Sequence, residues 1–87
     1  MFLHVGQEVM IRASEIVAIL DSSILDQSNE TRQFFNRLRA LDRVEGDVPS
    51  SKSMIVTDRG IYLSKISTST LARRGYNDAI GRGSEER

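Results

Sequence analysis

The sequence predicts a small α+β domain. It should have a twisted, mainly antiparallel sheet of about five short strands, one main helix over about 28–43 and a short C-terminal helix over about 67–74. Three observations predict it. Short apolar, β-branched runs recur between turn residues, at Phe2–Val5, Val9–Ile11, Ile16–Leu20, Ser53–Thr57 and Ile61–Ile66. A single stretch, Ser28 to Arg43, carries apolar residues at helical spacing. Asp58-Arg59-Gly60 joins two of the β-rich runs tightly enough for a hairpin, with Gly60 supplying positive φ.

Taken in order, Phe2 to Val5 reads as a strand, followed by a turn at Gly6-Gln7-Glu8 and a second run ending before Arg12-Ala13-Ser14-Glu15. Ile16-Val17-Ala18-Ile19-Leu20 shows no alternation, which predicts a strand buried on both faces. In the main helix, Thr31, Phe34, Leu38 and Leu41 form the expected core stripe, with Phe35 on its shoulder. Asp26, Ser28 or Asn29 can cap the helix start, and Arg39 and Arg43 suit the negative C-terminal end. Glu45 to Ser53, with Gly46 and Pro49, reads as a loop that can open with a short strand. Ser67 or Ser69 can cap the last helix, which Gly75 stops. The polar segment 77–87 is expected to be a flexible tail, leaving 1–76 as the domain.

A chain of 87 residues without cysteine cannot draw on disulfides or thiolate metal sites, so oligomerisation is the expected source of extra stability. The opening Met1–Gly6 has neither a basic region nor a long apolar run, and no segment reaches the apolar length that crosses a bilayer. A soluble, cytoplasmic protein with no membrane partner is expected. Net charge is zero, which argues against an outright polyelectrolyte binder. The charges are nonetheless segregated: residues 1–31 carry −4, residues 32–74 carry +5 and residues 75–87 carry −1. That distribution suits either head-to-tail self-association or an anionic partner.

Catalysis has little to stand on. His4 is the single histidine, and a nucleophilic set would need a base and a strained serine beside it. Metal-ligand spacings and phosphate-cradling glycine loops are also missing, so neither an enzyme nor a cofactor is expected. Basic residues offer more. Arg32, Asn36, Arg39 and Arg43 are spaced to line one helix face, nearly opposite Phe34, Leu38 and Leu41. A solvated outer face is the ordinary explanation of such a stripe, and phosphate neutralisation is the functional one. Arg59 marks the hairpin tip, Lys52 precedes the hairpin, and Lys65, Arg73 and Arg74 follow it. The hydroxyls of Ser67, Thr68, Ser69 and Thr70 could donate to phosphates or cap a helix. An aromatic platform for stacked bases is lacking.

The segments Phe2-Leu3-His4-Val5-Gly6, Ile16 to Asp21 and Thr31-Arg32-Gln33-Phe34 resemble the RemA/RemB family of bacterial extracellular-matrix (biofilm) regulators. So, above all, does Ile55-Val56-Thr57-Asp58 followed by Ile61-Tyr62-Leu63-Ser64, Ile66-Ser67 and Thr70-Leu71. The likeness covers residues 1 to about 75 and is closer to the RemB branch. It implies a small α/β domain assembling into a ring-like homo-oligomer that binds double-stranded DNA through arginines displayed around the ring. RemA-type proteins carry an arginine where this chain has Glu15, and an arginine pair where it has Ser50 and Ser51 before Lys52. DNA contacts are therefore expected first at Lys52 and Arg59, then at Arg32, Arg39 and Arg43, with Arg73 and Arg74 as outer candidates. The other reading of the same sequence is an oligomeric interaction module without a nucleic-acid role, its acidic first segment docking on a neighbour's basic middle segment.

Overall fold

A computed structural model describes residues 2–6 and 9–75. Among the described residues, six strands and three α-helices follow one another. Strands β1 (Phe2–Gly6) and β2 (Val9–Arg12) form an antiparallel hairpin, with Phe2 opposite Arg12 and Leu3 opposite Ile11. The remaining strands are β3 (Ile16–Asp21), β4 (Val44–Glu45), β5 (Ser53–Thr57) and β6 (Ile61–Ser64). They make a second sheet in the order β3-β5-β6-β4, antiparallel except where β4 runs parallel to β6. The antiparallel character is as the sequence predicts, but the sheet is divided in two and contains the two-residue β4.

Helices α1 (Ile24–Gln27) and α2 (Asn29–Ala40) cover one face of the larger sheet, and the β1–β2 hairpin with α3 (Thr68–Gly75) covers the other. Strand alternation assigns each residue its layer. Met54, Ile61 and Leu63 point toward α2 and meet Phe35 and Leu25, while Ile55 points the other way and meets Leu3, Val5 and Leu71. Met54, Ile55 and Leu71 are completely buried, each worth about 1.5–3 kcal/mol of apolar transfer.

Of the three candidate caps it is Ser28 that caps α2, accepting the Thr31 amide at 3.2 Å. At the other end Asp42 adopts φ 61°, and the Arg43 amide reaches back to the Leu38 carbonyl at 2.9 Å. This left-handed closure turns the chain straight into β4. Ser67 caps α3 through the Thr70 amide at 3.3 Å. At the hairpin tip Gly60 takes φ +157°, and a side chain there would run into the Arg43 carbonyl oxygen.

Three expectations need correction. Ile16–Asp21 is not buried on both faces: β3 is the outer strand, the register shifts between Ile16 and Ala18, and Val17 is 70% exposed. A short apolar run without alternation fits a bulged edge strand as well as a central one. The helix is also rotated about its axis. Phe35 is buried and Leu38 packs beside it, while Phe34 is 38% and Leu41 64% exposed. Helical spacing leaves two adjacent apolar faces open, and packing against Met54, Ile61 and Leu63 selects Phe35's; α2 also ends at Ala40, which puts Leu41 beyond its last turn. Finally, β6 ends at Ser64 rather than Ile66. The expected tail, 77–87, lies outside the described residues.

Candidate nucleic-acid interface

The two ends of β5 position the first-choice basic residues. Lys52 sits immediately before Ser53, and Arg59 sits two residues beyond Thr57. The five intervening strand residues, at about 3.3 Å each, hold the two cations roughly 17 Å apart at opposite ends of the domain. Both are exposed. Arg59 is fixed by its turn: the Thr57 hydroxyl accepts from the Arg59 and Gly60 amides at 3.1 Å and donates to the Gly60 carbonyl at 3.0 Å. The Asp58 amide donates to the Glu15 carbonyl at 3.1 Å, tying the tip to the start of β3.

A cleft of about 500 Å³ opens beside this tip. Arg12, Arg43 and Arg59 line it, and so do Glu15, Asp42 and Glu45, which leaves it formally neutral. Arg12 is a residue the sequence did not single out. The in-register β1–β2 pairing lays its guanidinium over the Phe2 ring, 5.7 Å from the centroid. That pairing, with the Glu15–Asp58 bond three residues on, brings position 12 to the cleft that positions 43 and 59 line.

The helix arginines divide in role. Arg32 donates through Nε to the Leu25 carbonyl and through Nη2 to Asp26, both at 2.9 Å, so it fastens α1 to α2. Its pairing with Asp26 is the one ion pair among the described residues. Arg39 lies over the Phe35 ring at 5.9 Å. Arg39 and Arg32 therefore flank the buried face instead of lying opposite it. Arg43, expected on the same helix face, lies beyond the end of α2 at Ala40, past the reversal at Asp42, where its carbonyl accepts the Ile61 amide beside the hairpin tip.

Lys52 shares its surroundings with Asp21 and Asp26, in a shallow cleft near the start of α1. The Asp21 carboxylate accepts the Ser23 amide at 2.9 Å, and this bond, helped by the Ser23 side chain, holds its pKa below the ordinary aspartate value. Ser50 and Ser51 lie at the same end, where Ser51 donates to the Val48 carbonyl at 3.0 Å. In α3, Arg73 is exposed and Arg74 Nη1 donates to the His4 carbonyl at 3.0 Å.

The predicted residues thus form two groups. Arg43 and Arg59 gather at one end with Arg12, while Lys52 stands at the other; Arg32 is engaged in packing, and Arg74 belongs to the β1 side. Among the described residues, none of the His, Asp and Glu side chains form a metal-ligand cluster, and none of the helices is long and apolar enough to cross a membrane.

No curated protein matches the chain. A family model does match, over residues 2–74, covering both sheets and nearly all of α3. Its description is RemA-like, extracellular matrix regulatory protein A-like. It does not separate the RemB branch from the rest. The resemblance carried by the β3, β5 and β6 segments is therefore real kinship: this chain belongs to the RemA-like family of extracellular matrix regulatory proteins.

Proposed function

We propose that this protein is a non-enzymatic, cytoplasmic transcriptional regulator of matrix (biofilm) formation, a ring-like homo-oligomer that binds duplex DNA through its basic residues. Family membership carries the reading. The surface supports it with exposed Arg39, Arg43, Arg59 and Arg73, none of which is ion-paired among the described residues.

Position 15, where RemA-type proteins carry arginine, lies against the turn that bears Arg59. Arg59, Arg43 and Arg12 supply positive charge at that end in this chain, and Lys52 supplies it at the end bearing Ser50 and Ser51. A single protomer of zero net charge has little hold on a polyanion. Repetition around a ring would multiply weak phosphate contacts by effective concentration. Self-assembly draws support from the outer side of β3, which none of the described strands pairs, and from exposed Val17, Phe34 and Leu41, apolar surface that a neighbouring protomer would cover.

A gel shift on unrelated duplexes, alongside a native mass, tests the reading. Sequence-lenient retardation that weakens steeply with salt, by an oligomer, is the expected result. An oligomer that retards no DNA at low salt would leave the second reading, an interaction scaffold. That reading draws on the same exposed apolar residues and on the charge segregation between residues 1–31 and 32–74.

A further inference from the structure

Three clefts of the described surface differ in charge. The one beside Arg59 is neutral, and the one beside Lys52 carries two carboxylates against one amine. The third, about 800 Å³ between β1, β6 and the end of α3, contains Lys65 and Arg74 against one carboxylate, Asp47. Of these three, it is the one with an excess of positive charge among its described lining residues.

Neither cation has a carboxylate at ion-pair distance among the described residues. Arg74 spends one donor on the His4 carbonyl. A guanidinium has five N–H donors in a fixed fork, so four remain for an oxyanion. The Tyr62 hydroxyl bonds to none of the described residues and lies over Gly6, where even a Cβ would come within 3.2 Å of it. Val5 and Ile66, which share the layer packed around Ile55 and Leu71, form an apolar floor. The volume falls in the usual range of small-molecule sites.

We propose that this cleft binds a small organic phosphate, its phosphoryl group held by Arg74 and Lys65 and its hydroxyl-bearing body resting between Tyr62 and Asp47. A phosphate monoester carries nearly two charges at neutral pH, which matches two cations better than a single carboxylate does. The apolar floor and the space beyond the cations leave room for an organic body. The proposal does not depend on DNA binding.

His4 is the chain's one histidine and lines the cleft, so its ring protons give an unambiguous NMR signal. The full chain is titrated at constant ionic strength with glycerol 3-phosphate, inorganic phosphate and, separately, a short duplex. Saturable displacement of the His4 resonances by glycerol 3-phosphate, more tightly than by inorganic phosphate, is expected. K65Q and R74Q should each weaken it tenfold or more, and Y62F should weaken glycerol 3-phosphate more than inorganic phosphate. Lys65 is exposed, so K65Q tests the site even where R74Q disturbs the packing of α3 on β1. A displacement that never saturates, that is equal in K65Q, or that appears with the duplex alone would overturn the proposal.

Discussion

Ser64 donates its buried hydroxyl to the Val5 carbonyl at 2.6 Å, joining β6 to a strand 59 residues away in sequence. Its cross-strand partner Ser53, equally buried, donates to the Ile66 carbonyl at 2.5 Å. Two small polar residues thus replace apolar ones inside the layer beneath the hairpin, and each satisfies a carbonyl that the sheet leaves over. Ser64→Ala would strand the Val5 carbonyl and lose the acceptor for the Ile66 amide, a cost of about 1–3 kcal/mol. Urea unfolding checks it, and an unchanged midpoint would show that water replaces the bond.

Arg32 fastens α1 to α2, so its removal should read out in stability more than in DNA affinity. The Arg32–Asp26 pair is exposed, at 52% and 81%, and such pairs couple by under about 1 kcal/mol. Arg32→Ala also loses the Leu25 carbonyl bond and should therefore cost more than Asp26→Ala. A double-mutant cycle measures the coupling. Equal single-mutant costs would mean that the carbonyl bond contributes nothing.

Charge reversal at Arg59, with Arg43 as its neighbour in the same cleft, should weaken duplex binding about uniformly across unrelated sequences. The slope of log affinity against log salt should become shallower by about one for each phosphate no longer neutralised. Weakening confined to one DNA sequence would instead point to base readout at the hairpin tip.

Phe34 is 38% and Leu41 64% exposed, so serine at both removes partly buried apolar surface and should cost the monomer on the order of 1–2 kcal/mol, mostly at Phe34. If these side chains pack between protomers, the native mass should fall toward that of one chain. An unchanged mass would move the interface to Val17 and the free side of β3.

The depressed pKa of Asp21 carries a sign. Its charged form is favoured by folding through the Ser23 amide, so the stabilisation is complete at neutral pH. It is lost as pH falls through the lowered folded value, in the acid range below the ordinary aspartate midpoint. Carbon-detected NMR of the Asp21 carboxyl gives the midpoint directly, and Ser23→Pro, which deletes the donating amide, should move it upward.

Residue order was enough to specify the α+β class, the β5–β6 hairpin with Gly60 at its turn and the family resemblance, and it narrowed the caps to short lists from which the structure selects Ser28 and Ser67. These follow from local chemistry: turn conformations, capping hydroxyls and apolar periodicity act between near neighbours. Folding in three dimensions was needed to settle which side of α2 faces inward, that β3 is an outer strand with Val17 exposed, and that Arg12 joins Arg43 and Arg59. The same holds for Lys52 and Arg59 standing at opposite ends of one strand, and for Arg74 meeting β1. Each depends on register or on packing between residues far apart in the chain. Helix spacing fixes which residues share a face but not which of two adjacent apolar faces, Phe34's or Phe35's, the sheet will cover.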